Sequence, residues 1–72
     1  MKRKKNWYLT DMDRNIIRGF NTFKEAKIDY SLTKCKRPYG KGFYHCKDDS
    51  GRELYVMTPK KARWHGFEDI LD

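Results

Sequence analysis

The chain has 72 residues, of which 38% are hydrophobic and 38% charged, so it can build one domain around one modest core. Its 17 lysines and arginines outweigh 10 acids to leave a formal net charge of +7, and an aromatic content of 15% argues against a disordered chain of this charge. No apolar run approaches the roughly 18 residues a bilayer span needs, and the basic start at Lys2 to Lys5 is not followed by the apolar stretch of a secretory leader.

Residues 1–5 are expected to be a flexible basic tail on a single domain covering residues 1–72. Trp7 to Met12 then reads as a strand, ending in a polar turn around Asp13-Arg14-Asn15. Ile16 to about Phe20 reads as a second strand, and the short connection makes the two an antiparallel hairpin. Thr22-Phe23-Lys24-Glu25 fits a capping box, in which a threonine and a glutamate three positions later satisfy free amides at a helix start. The helix is predicted from Phe23 to about Leu32, with Phe23, Ala26, Lys27 and Tyr30 along one side. It is short, and needs the sheet to hold it.

Pro38, Gly40 and Gly42 interrupt regular structure, so residues 33–42 are predicted as a loop. Phe43 to Lys47 and Glu53 to Thr58 read as two further strands joined by Asp48-Asp49-Ser50-Gly51, which is strong turn chemistry. Leu54 and Val56 alternate with Tyr55 and Met57, placing apolar groups on both faces of the last strand. Thr58-Pro59 marks a helix start, with threonine at the cap and proline at the first helical position. Ala62 and Trp64 follow in a short turn, and Phe67, Ile70 and Leu71 give the acidic end a small apolar side. The expected fold is α+β: two β-hairpins forming a small antiparallel sheet packed on one α-helix, with a short helical C-terminal segment.

The charge is unevenly spread. Residues 1–10 carry +4, residues 33–42 another +4 and residues 59–65 +3, while the last seven residues carry −3. Each basic segment contains rings: Lys4-Lys5-Asn6-Trp7-Tyr8, Lys36-Arg37-Pro38-Tyr39-Gly40-Lys41 and Lys60-Lys61-Ala62-Arg63-Trp64-His65. Lysines and arginines neutralise phosphates, and an exposed ring can stack on a base. The candidate binding residues are therefore Lys2, Arg3, Lys4, Lys5, Lys34, Lys36, Arg37, Tyr39, Lys41, Lys60, Lys61, Arg63 and Trp64. Tyr39, between glycine-rich flanks, is the ring expected to be most exposed. Trp7 and Trp64 are weighed chiefly as core, because so small a domain has few large side chains to bury.

Catalytic readings are weaker. Cys35, His45, Cys46 and His65 lack the close-pair spacing of zinc sites, and adjacent His45 and Cys46 point to opposite faces if they lie on a strand. Cys35 sits among cations that favour a thiolate, but no base accompanies it. With two cysteines and no export signal, free thiols in a reducing cytoplasm are expected. The paired carboxylates at Asp11 and Asp13 and at Asp48 and Asp49 fall in turns. Gly40-Lys41-Gly42 is too short for a phosphate-cradling loop. Neither an enzyme nor a cofactor is expected.

The stretch from Gly42 to Glu53, followed by the basic helix start, resembles the sheet-plus-helix arm-binding domains of phage integrases. It spans less than a third of the chain, and the resemblance implies DNA contact through a sheet. The leading expectation is a non-enzymatic protein binding DNA or RNA. The alternative is a small regulator or inhibitor, of the kind phages and plasmids encode, that docks on an acidic protein surface. Binding through all three basic segments requires that they share one face.

Overall fold

The computed structural model describes residues 5–66. Five strands and two helices follow one another as β1 (Trp7–Thr10), β2 (Ile16–Phe20), α1 (Phe23–Tyr30), β3 (Thr33–Lys36), β4 (Phe43–Lys47), β5 (Glu53–Met57) and α2 (Pro59–Trp64). The two hairpin turns are built alike. Asp11 accepts hydrogen bonds from the backbone N–H groups of Asp13 and Asn15, both at 2.9 Å. Asp48 accepts from the N–H groups of Ser50 and Arg52, also at 2.9 Å, and from the Ser50 hydroxyl at 2.7 Å. These bonds favour the ionised carboxylates, so both pKa values lie below the ordinary aspartate range. The Asn15 N–H has the largest effect at Asp11, and the Ser50 hydroxyl at Asp48. Each turn closes through a left-handed residue, Arg14 at φ 70° and Gly51 at φ 88°.

The hairpins merge into one antiparallel sheet of order β2-β1-β5-β4-β3, because β1 pairs with β5. The register pairs Leu9 and Tyr44 with Val56 and pairs Cys46 with Leu54. Those residues share one face, while Tyr8, Phe43, Met57, His45 and Tyr55 share the other. This realises the alternation read along β5.

Helix α1 covers the first face. The Thr22 hydroxyl accepts from the Glu25 N–H at 3.1 Å, and the Glu25 carboxylate accepts from the Thr22 N–H at 3.2 Å, completing the capping box. Ala26 is fully buried, and a core of Leu9, Phe20, Leu32, Cys46, Leu54 and Val56 closes around it. The helix stops at Tyr30, short of the expected Leu32, because Ser31 adopts the left-handed conformation (φ 51°). That reversal returns Leu32 to the core and starts β3. Ile28, left on the outer side of α1, is exposed.

Two expectations are corrected on the far edge. Residues 33–36 form strand β3 rather than loop, pairing Thr33 with Lys47 and Lys36 with His45. A bulge between those pairs places Lys34 at φ 54°, so the ladder survives a residue that does not fit it. The cysteines are not free thiols: Cys35 and Cys46 face each other across β3 and β4 with Cα atoms 4.1 Å apart, and form a disulfide. Chain spacing alone could not reveal this, because it requires β3 to exist. Among the described residues no helix is long and apolar enough to cross a membrane.

Helix α2 begins as its sequence predicts, with the Thr58 hydroxyl accepting from the Lys61 N–H at 3.3 Å and Pro59 in the first turn. Ala62 packs on Phe43 and Met57 in a smaller cluster on the second sheet face, flanked by Tyr8 and Tyr55. Trp64, weighed as a core residue, is instead 70% exposed. A helix of six residues has only one side to bury, and Ala62 occupies it.

Candidate functional site

The loop that leaves β3 is tied to the first turn of α2. Thr58 donates its N–H to the Gly42 carbonyl at 2.9 Å, and the Lys61 ammonium donates to the Tyr39 carbonyl at 3.0 Å. Gly42 makes this closeness possible. Its φ is +89°, and a Cβ there would lie 3.0 Å from both the Thr58 hydroxyl and the Lys61 stem. The seam opens into a groove of about 800 Å³ at one end of the sheet.

Arg37 and Lys41 enter the groove from the loop, and Lys60 and Lys61 from α2. Among the described residues that line it there is no carboxylate. Four cations facing a shared recess raise its potential above that of a flat surface with the same charges.

Three rings complete the lining: Trp7, Tyr44 and Trp64. Trp7 and Tyr44 are fastened to the core, for the Tyr44 ring stacks on Phe23 at 3.9 Å and Trp7 tilts against Phe23 and Tyr44 at 5.5 and 5.7 Å. Trp64 differs from them. The Lys61 ammonium lies 5.1 Å from the centre of its ring, a cation–π contact, and most of the ring remains in solvent.

Beneath Trp64 lies a small aromatic cluster. Tyr39 packs edge-on against Phe43 at 5.1 Å, and His65 lies 4.7 Å from Tyr39 and 4.6 Å from Phe43. The His65 Nε2 is buried with no hydrogen-bond partner among the described residues. Burial, and then the positive charges of Lys61 and Arg14, hold the imidazole below its ordinary pKa. The Arg14 guanidinium donates to the His65 carbonyl, linking the first hairpin turn to the end of α2.

The sequence-derived candidates thus separate into groups. Arg37, Lys41, Lys60, Lys61 and Trp64 come together in the groove. Tyr39 is 52% exposed, as expected of a loop ring, but Trp64 exceeds it, and Tyr39 supports the groove from outside its lining. Arg63 is exposed on α2 and also lies outside the lining. Lys34 and Lys36 belong to a separate recess on the β3–β4 edge with His45 and Lys47, where His45 Nε2 sits 2.7 Å from the Glu53 carboxylate. Lys5 borders a third recess at the β2 edge, shared with Glu25 and Asp29. Lys2, Arg3 and Lys4 lie outside the described residues, as do Phe67, Ile70, Leu71 and the acidic end.

Among the described residues, therefore, the cations of the three basic segments do not share one face; some of those in the second and third converge. Nor do the four conceivable zinc ligands assemble. The sulfurs bond each other, His45 engages Glu53, and His65 sits among rings. Sequence reasoning missed Tyr44, Gly42 and Thr58 as parts of the groove. It named Trp7 within a basic–aromatic cluster but weighed it chiefly as core, against which it does pack while also lining the groove. Gly42 carried a readable signal, a glycine between a basic loop and a strand. Tyr44 carried none, because which strand end meets α2 is a tertiary matter. Compared with family models, with curated proteins and with solved structures, the chain has no match, so the resemblance of its second hairpin to arm-binding domains gains no further support and the site stands on its own geometry.

Proposed function

We propose that this chain is a non-enzymatic nucleic-acid-binding protein that holds a phosphate backbone in the groove between the 37–42 loop and α2. The supporting observation is the convergence of Arg37, Lys41, Lys60 and Lys61 on one recess free of carboxylates among its described lining. Rings beside the cations suit a ligand that alternates anionic and flat aromatic groups, which describes a nucleotide chain.

Fluorescence anisotropy with a labelled oligonucleotide over rising salt tests the reading. Four phosphate contacts predict a log–log slope of roughly −3 for a single strand. The charge-reversal pair Lys41→Glu/Lys60→Glu should weaken binding far more than Lys34→Glu/Lys36→Glu, although both change net charge equally. Equal losses would mean that overall charge, not the groove, does the binding. Absence of binding at the lowest salt sinks the reading. A stoichiometric, nuclease-resistant protein partner would then favour docking on an acidic protein surface.

A further inference from the structure

We infer that the groove selects unpaired nucleotides, and that Trp64 is the platform on which a base stacks. This rests on the proposed nucleic-acid reading and names the form of nucleic acid the site takes. A duplex presents phosphates on its outside and keeps the faces of its bases stacked away from any protein. It can satisfy the four cations, but it has nothing flat to offer Trp7, Tyr44 or Trp64. An unpaired strand turns its bases out, so cations and rings in one recess are both used.

Trp64 stands out among the three rings. Trp7 and Tyr44 are held by Phe23 and offer only what the core leaves uncovered. Trp64 is 70% exposed on a helix whose buried contact is made by Ala62. The Lys61 ammonium at 5.1 Å takes one part of its surface and Tyr39 and His65 approach at 6.4 and 4.8 Å in edge-on arrangements. These contacts hold the indole in place without covering it. Lys61 is itself held by the Tyr39 carbonyl, so a cation and a stacking surface are pre-positioned 5.1 Å apart. Ordering them in advance lowers the entropy lost on binding.

The test compares a homopyrimidine strand of about 12 nucleotides, within the span one small domain can track, with the duplex it forms with its complement. The strand should bind at least tenfold more tightly, and it should quench tryptophan fluorescence. Most of that quenching should vanish in Trp64→Phe, which leaves Trp7 as the sole indole. Trp64→Ala should weaken strand binding by about 5- to 150-fold, the range for loss of one base–ring stack, with Trp64→Phe recovering much of it. Arg63→Ala, on the same helix but outside the groove, should change it little. Equal or tighter binding of the duplex overturns the inference, as does quenching that Trp64→Phe leaves intact. In either case the wider reading survives if Lys41→Glu/Lys60→Glu still weakens binding selectively. Failure of both strand and duplex to bind overturns the two together.

Discussion

The two faces of the sheet are finished to different degrees. Against α1 the closure is complete: Leu9, Ala26, Leu54 and Val56 have no exposed surface, and rings and a capped helix seal the margin. On the opposite face, among the described residues, Thr10, Phe43, Met57 and Ala62 are buried, while Tyr8 and Tyr55 stay partly in solvent. The second helix is too short to cover that face and instead borders a groove at its end. A domain of this size can fund only one well-filled core. Burial is concentrated on one side of the sheet, and the groove draws Trp7 and Tyr44 from the margin of that side and Lys60, Lys61 and Trp64 from α2.

The sharpest way to break this contrast is to truncate neighbours that point in opposite directions. Leu54→Ala, on the α1 face, should lower unfolding free energy by about 2–5 kcal/mol, the range for emptying a fully buried leucine site. Tyr55→Ala, one residue along on the half-open face, should cost distinctly less in the same urea titration. Equal losses would show that both faces carry the fold alike.

Reduction of the disulfide comes next. Its sulfurs join β3 to β4 across a sequence separation of 11, for which chain entropy alone predicts about 3 kcal/mol as an upper figure. Urea midpoints with and without a small thiol should therefore separate, and exchange of the amides in β3 should accelerate before that of β1. A β3 that stays protected after reduction would mean that strand pairing alone holds this edge.

A smaller effect is expected at the helix cap. Thr22→Ala removes the hydroxyl that accepts the Glu25 N–H and should cost about 1 kcal/mol, read as a fall in thermal midpoint. Groove binding should change little, since the four cations of the groove come from the 37–42 loop and α2 and Phe23 keeps its stack on Tyr44 while the helix stays folded. A matching loss of affinity would show that the cap holds the groove rings through Phe23.

The least of these effects is the pH dependence centred on His65. Its folded pKa is lowered by burial, while the unfolded chain keeps the ordinary value of about 6.5. Between those values the unfolded chain binds the proton first, so stability is fully present above the ordinary value and falls as pH drops through the window to the folded one. His65→Phe should flatten this part of the stability–pH curve. Asp11 and Asp48 shift in the same direction, so their contribution is present above the ordinary aspartate range and is lost as pH falls through their lowered folded values. The histidine can thus be separated from them by where on the pH axis stability declines.

Much of the framework was legible because its signals are local. Asp48 to Gly51 specifies a turn through bonds within five residues, Thr22 and Glu25 form a cap across one helical turn, and Thr58-Pro59 starts a helix whatever surrounds it. Period-two alternation in β5 assigned Leu54 and Val56 to one face and Tyr55 and Met57 to the other. The failures occurred where a residue's state depends on a distant partner. Ser31 ends α1 in a left-handed turn that an ordinary serine does not announce. Residues 33–36 have weak strand character, and become a strand because β4 offers an open edge. Cys35 and Cys46 meet only once that strand is paired. Trp64 looked like core because tryptophan usually is, yet the short α2 buries Ala62 and leaves the indole outside.

The sequence by itself determined an α+β domain with two hairpins, one capped helix and a positive charge gathered into three short segments, because propensity, turn chemistry and charge are read residue by residue. Only the tertiary structure decided which cations work together. It joined Arg37 and Lys41 to Lys60 and Lys61 through the Gly42–Thr58 seam, and left Lys34, Lys36 and Lys5 on other edges. The physical reason is that proximity along the chain sets local potential, whereas a groove requires side chains from separate elements to be aimed at one another, and that depends on how the sheet is ordered.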